Sequence, residues 1–342
     1  MRTGARVMAA VLGAMSGLLP TTGTAAQATA PSVPAVSVSV VTPAQAASIV
    51  KAYLRANNAA NAHFNRALQD RHEAGSAAVI DDAYFRIAVK VGLPPVAPFQ
   101  ASGLKVYVPR QPRYPALFVA YYHAKFSGKP AARDTSVALF QRRSARDTWR
   151  VISEPTIPAG FEVPKFVVGP DGYLPTLAGT TLAYSPTRLN KLWIAAQTAD
   201  AAGKPIAAVW ARTALLKTFG QSTSPLNAAT RRVVSERDTF KSSPFAPVCV
   251  ASRRGALCFV STTFRSAVTV PPALRATGYR LWILSSSDQY YSGGLPLGRN
   301  YVALTVASQR EAAIEVPRAG SPGGLRLLAQ NFGRLSGTGT RG

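Results

Sequence analysis

The sequence predicts an α+β protein of two units, each with helices packed on an antiparallel sheet. Three observations carry that prediction. Apolar residues recur at helical spacing after Thr42 and again after Ser185; runs of period two follow each helical stretch; and Pro, Gly, Ser and Asp clusters separate those runs. The order of helices followed by strands occurs twice, although no residue-level repeat shows a duplication.

In the first unit, Thr42-Pro43-Ala44-Gln45 combines an N-cap, a proline at the first helical position and a capping-box glutamine. Ile49, Val50, Tyr53, Ala56, Ala60, Phe64 and Leu68 continue a helical period, which predicts a helix to about Asp70 with a break near Asn57-Asn58. A second helix fits Asp81 to Val91, with Asp81 or Asp82 as its cap and Gly92 as its stop, and Pro94, Pro95 and Pro98 forbid continuation. Strands are expected at Leu104–Val108, Pro115–Phe126, Thr135–Arg142 and Thr148–Ser153. The unit spans 42–168, and Gly169-Pro170-Asp171-Gly172 opens a linker over 169–184.

The second unit, 185–335, begins with Ser185-Pro186, again a cap followed by proline, and Leu189, Leu192, Trp193 and Ala196 mark a helix face. Lys204 to Phe240 is expected to be mostly helical. Strands follow at Val248–Ala251, Ala256–Phe264, Tyr279–Ser285, Tyr301–Val306, Ala312–Val316 and Leu325–Gln330, and the glycine-rich 336–342 is expected to be a disordered tail.

The first 28 residues have the pattern of a secretory signal peptide. Arg2 and Arg6 supply the positive region, Val7 to Leu19 the apolar core, and Ala26 or Ala28 is the expected last residue removed. The apolar core is shorter than the roughly 20 residues that cross a bilayer, so cleavage is expected over an uncleaved anchor, and no cysteine follows it to carry a lipid. Residues 29–41 continue as an uncharged, flexible linker rich in Ala, Pro, Ser and Val. The mature chain is therefore expected to be secreted or associated with the cell envelope.

In an exported chain an even cysteine count favours a disulfide. With Arg253 and Arg254 as turn residues, counting outward places Cys249 and Cys258 directly opposite in a hairpin, at a close, non-hydrogen-bonded pair. The formal charge is +24, with 15 acidic residues against 39 basic ones. Arginines lie in short scattered groups, and no nucleic-acid recognition motif accompanies them. The surface charge therefore suggests an anionic envelope polymer or lipid as partner and no specific nucleic acid. The three histidines, His63, His72 and His123, show no metal spacing, and no phosphate-binding loop is present, so no metal or cofactor is expected. Ser48-Ile49-Val50-Lys51 matches a serine–lysine pattern of penicillin-interacting enzymes, but the companion elements are imperfect and wrongly arranged, and chance explains it.

Tyr53-Leu54-Arg55-Ala56-Asn57-Asn58-Ala59-Ala60-Asn61, Glu73-Ala74-Gly75, Asp81-Asp82-Ala83-Tyr84, Val108-Pro109-Arg110, Tyr114-Pro115-Ala116-Leu117-Phe118-Val119 and Ala313-Ile314-Glu315-Val316-Pro317 resemble, in their order, a family of uncharacterised actinobacterial secreted proteins and lipoproteins. The resemblance implies a first domain similar to the nuclear-transport-factor-like, cone-shaped α+β fold, and no known catalytic residues. That fold can host isomerases and dehydratases that use an inward acid, histidine or tyrosine. The candidates here are Tyr53, Asp81, Asp82, Tyr84 and His63; against them, both tyrosines also suit a core position and either aspartate a helix cap. A non-catalytic binding protein is the leading expectation, and a small-molecule enzyme using the cone pocket is the alternative.

Overall fold

The computed structural model describes residues 39–127, 129–213, 215–216 and 232–342. The expected signal peptide, and all of the 29–41 linker but its last three residues, lie outside the described residues. Six helices are present among the described residues, with a ten-stranded sheet in which every pairing is antiparallel. The class is α+β.

Helix α1 (Pro43–Asn61) starts as its sequence dictates. The Thr42 hydroxyl accepts from the Gln45 amide, and the Gln45 side chain accepts from the Thr42 amide. It stops earlier than its period suggested. The break falls at Ala62–Asn65, where Phe64 has a positive φ of 49° and Asn65 caps the short α2 (Arg66–Gln69). Asn57, expected at a break, lies inside the helix and is buried.

Helix α3 (Gly75–Val91) ends on Gly92 as expected but begins six residues before Asp81. Asp81 and Asp82 are therefore mid-helix residues and cap nothing. The start is set by tertiary contacts: the Ala74 amide donates to the Val151 carbonyl, and a Cβ at Gly75, whose φ is +61°, would stand 2.5 Å from the Ile152 carbonyl oxygen. Ser76, Ala77 and Ile80 of the first turns are buried.

Strands β1 (Phe99–Tyr107), β2 (Ala116–Phe126), β3 (Thr135–Arg142) and β4 (Arg150–Ser153) follow the expected order. A two-residue strand, β5 (Thr156–Ile157), then pairs with β3 on one side and, through Gln330, with β12 (Arg326–Thr340) on the other. It joins the strands of the two halves into a single sheet of order β1-β2-β3-β5-β12 followed by β11 (Ala303–Pro317), β8 (Gly255–Thr269) and β6 (Ser235–Ser242), with β4 beside β3 and β7 (Val248–Ala251) beside β8. The described residues form one compact unit.

In the second half, α4 (Pro186–Ala201) is capped by Ser185 and buries Leu189 and Trp193 against β8 (Gly255–Thr269), β11 (Ala303–Pro317) and β12. Of the stretch expected to be mostly helical from Lys204 to Phe240, Leu215 and Leu216 are helical and Ser235 onward belongs to strand β6 (Ser235–Ser242), while residue 214 and residues 217–231, with the break expected near 220–225, lie outside the described residues. Strand β7 (Val248–Ala251) forms the expected hairpin with β8, with Cys249 opposite Cys258 and the two joined by a disulfide. Leu281–Trp282 (β9) pairs only with Asn300–Tyr301 (β10). The helices α5 (Pro272–Ala276) and α6 (Ser286–Tyr291) flank β9.

Two departures matter. Ser336 to Thr340 are not a disordered tail; they extend β12 against β11. Their glycines allow close approach, since a Cβ at Gly337 would lie 1.8 Å from the Ser292 carbonyl oxygen and one at Gly339 2.4 Å from the Tyr301 ring. The two strands expected at Tyr301–Val306 and Ala312–Val316 are one continuous β11. Its middle, Ser308-Gln309-Arg310-Glu311, is polar in sequence yet fully buried.

Candidate functional site

A cavity of about 250 Å³ lies where α1 and α3 meet the sheet, and four acidic side chains line it: Glu73, Asp81, Glu154 and Glu311. No lysine, arginine or histidine lines it among the described residues. In a chain with 15 acidic and 39 basic residues, that concentration does not follow from composition.

Five stretches of chain bring the groups together. On α1, Tyr53, Asn57 and Asn61 recur every four residues and so share one face. Glu73 sits in the link between α2 and α3, held by a backbone bridge to Val151 of β4. Asp81 and Tyr84 come from α3, Glu154 directly follows β4, and Glu311 stands in the middle of β11.

Glu311 is the most completely bonded of the acids. Its Oε2 accepts from the hydroxyls of Ser76 and Ser153, both at 2.8 Å, and its Oε1 from the Glu154 amide at 3.0 Å. Burial nevertheless pushes its pKa up to about 7, because desolvation outweighs those bonds and the nearby Glu154 charge adds to it. Ser76 and Ser153 also line a second cavity of about 260 Å³. Glu154 accepts from the Tyr122 hydroxyl and lies 3.2 Å from that of Tyr53; burial raises its pKa, opposed by those hydroxyl bonds.

The Glu73–Asp81 end is different. Glu73 Oε1 accepts from the Tyr53 hydroxyl at 2.7 Å, whereas its buried Oε2 has no N–H or hydroxyl donor. Glu73 instead meets the carboxyl group of Asp81, whose Oδ2 accepts from Gln69 Nε2 at 3.1 Å. Two facing carboxyls attract each other only when a proton or another cation lies between them. Burial, then the Asp81 charge, raises the Glu73 pKa well above the usual carboxylate range. Asp81 is pushed up to about 7 by burial and then by Glu154 and Glu311. The Tyr53 phenol is raised in turn by its own burial and by Glu73 and Glu154, so it remains a hydrogen-bond donor. Among the described residues no three acids, histidines or cysteines converge as ligands of one metal ion.

Of the residues singled out from sequence, Tyr53, Asp81 and Tyr84 line this cavity. His63 does not: it is exposed in the turn after α1. Asp82 points to the surface, in ion pairs with Arg66 and Arg86. Glu73, Glu154, Glu311, Asn57 and Asn61 were not anticipated. The charged pair Arg310-Glu311, in the polar middle of a strand with apolar ends, was the available signal for Glu311.

A family model described as Domain of unknown function (DUF8094) matches residues 37–338, running through both halves of the sheet. No curated protein and no solved structure matches the chain.

Proposed function

The chain belongs to the Domain of unknown function (DUF8094) family, and from that premise we propose that it is an exported, envelope-associated binding protein whose small ligand occupies the acid-lined cavity. The carrying observation is the cavity itself: about 250 Å³ of space walled by Tyr53, Tyr84 and Phe99 and lined by four acids, the combination of apolar wall and few oriented polar groups that ligand sites use. Its place between two N-terminal helices, α1 and α3, and the sheet supports the cone-like reading of the first half.

Export is supported by the signal-peptide pattern at the N-terminus and by the Cys249–Cys258 disulfide, a bond of oxidising compartments. Envelope association is supported by charge and by one surface feature. On β9 and just beyond it, Leu281 and Ile283 point into the core while Trp282 and Leu284 are 52% and 71% exposed, with exposed Leu297 nearby and Arg280 and Arg299 flanking the hairpin. Exposed Trp and Leu beside arginine suit an anionic lipid surface. The purified mature protein is expected to sediment with phosphatidylglycerol vesicles at low salt and to be released by salt; binding that ignores ionic strength would remove the charge-based part.

The facing carboxyls of Glu73 and Asp81 support a second reading, an isomerase- or dehydratase-type enzyme in which Asp81, titrating near 7, moves a proton. The two readings separate on the fate of a bound compound. A binding protein returns it unchanged after prolonged incubation, whereas an enzyme converts it in a reaction lost in Asp81→Asn.

A further inference from the structure

We propose that the cavity's ligand is a small organic cation with two or more nitrogen-borne positive groups, a diamine, polyamine or guanidino compound. This rests on the reading of the cavity as a ligand site and adds the ligand's chemistry.

The acids by themselves do not make the case; their pattern of satisfaction does. Glu311 has three donors supplied by the protein, and Glu154 has the Tyr122 hydroxyl. At the other end, Glu73 is 2% exposed, its Oε2 lacks a donor, and the group it faces is another acid. A buried carboxylate oxygen without a donor costs on the order of 1–3 kcal/mol or more. Elsewhere in this cavity the chain has met that cost with serine, tyrosine and backbone donors. At Glu73 and Asp81 the two carboxyls have only each other and a shared proton there, and an ammonium or guanidinium group brought by a ligand replaces that proton with fixed donors and a fixed positive charge.

Spacing separates an organic cation from a metal ion. Four carboxyl groups line the cavity, yet among the described residues no three converge on one point. Acids spread around a space suit a ligand whose positive groups are also spread, linked by methylenes. Tyr84 and Phe99, also in the lining, offer ring faces and edges to such methylenes and to the cation.

Protons take part as follows. The groups facing Glu73 and Asp81 are Tyr53 from α1, Tyr84 from α3, Tyr122 from β2, Glu154 after β4 and Glu311 from β11, all acids or phenols. Below about pH 7 protons occupy Asp81 and Glu311, and burial raises Glu73 and Glu154 in the same direction; a bound cation must displace protons from carboxyls that hold them, so binding releases protons and affinity rises with pH.

Isothermal titration calorimetry of the mature protein with putrescine and spermidine tests this, beside the neutral 1,4-butanediol, calcium ion and a set of neutral polar fragments. The expected result is binding of at least one amine, about tenfold tighter at pH 8 than at pH 5.5 and accompanied by proton release. Butanediol is expected to be silent. Glu73→Gln and Asp81→Asn are each expected to weaken binding at least tenfold while thermal unfolding remains cooperative, and surface Asp82→Asn to leave it unchanged. Two variants are used because Glu73 also bonds Tyr53. Calcium binding as tight as the amines', or amine binding that survives both variants, would overturn the proposal. Neutral fragments that bind while the amines are silent would overturn the cationic ligand and leave the ligand-binding reading standing; silence of every compound would remove both.

Discussion

Arg310 and Glu311 are consecutive on β11, each about 1% exposed, and because strand residues alternate they face opposite sides of the sheet. On its side Arg310 lies 5.2 Å from the Phe264 ring, and the neighbouring Arg334 lies 5.0 Å from that of Phe332 and donates to Ser308. Burial lowers both arginines, to about 9 and about 10, which leaves them charged at neutral pH. On the other side Glu311 and its three companions border open space. One buried charge is packed among protein groups and the other faces a cavity. The contrast teaches that burial alone does not tell two buried charges apart; what fills the space in front of each does.

The largest expected effect would break the structural half of that contrast. Arg310→Ala should cost about 3 kcal/mol or more in urea unfolding, since it removes a buried cation and its packing on Phe264. The folded fraction should still bind amine. A neutral result would show that Arg310 is not structural.

Next comes the pH dependence of the cavity side. Asp81 has a folded pKa of about 7 against an ordinary 3.8, and Glu311 about 7 against 4.5. Raised carboxyl pKa values mean that the folded state holds protons more tightly than the unfolded one. Their contribution to stability is thus complete below about pH 4 and is lost as pH rises through about 7, a decline of a few kcal/mol at most, because Asp81 is only half-buried. Thermal unfolding followed from pH 4 to 8 should show the melting temperature falling over that window, and Glu311→Gln should flatten it. An unchanged slope in the variant would mean that other groups carry the effect.

Smaller again is the disulfide. Cys249 and Cys258 close a loop of sequence separation 9, so replacing both by serine should cost about 2 kcal/mol or less by denaturant unfolding and leave the cavity's ligand affinity intact. A loss of affinity would tie the hairpin to the site. The smallest effect belongs to Asp82→Asn, which removes exposed pairs with Arg66 and Arg86 and should change stability by about 1 kcal/mol or less. A larger change would make Asp82 more than a surface charge.

The same neighbours show how far the sequence could be read. Asp81 and Asp82 are equivalent to any pattern of spacing, and either suited the helix cap. The helix start at Gly75 turned one toward the cavity and the other toward solvent, and that start depends on the contact with Ile152 in another element. Tyr53 and Tyr84 were legible as inward residues because helical period reports which face is apolar. Glu73, Glu154 and Glu311 were not, since each looks like a surface acid until its neighbours are known, and Ser76 and Glu311 meet across 235 residues of chain.

By itself, then, the sequence determined what depends on neighbours a few residues away: the Thr42 and Ser185 caps, the stop at Gly92, the strands of the first half and the hairpin that sets Cys249 against Cys258. Only the tertiary structure decided that β5 would join both halves into one sheet, that the polar middle of β11 would be buried, and that four acids from separate stretches would surround one cavity. The physical reason is range. Caps and turns are satisfied within a few residues of backbone, whereas burying a charge depends on which distant side chains supply, or leave open, its partners.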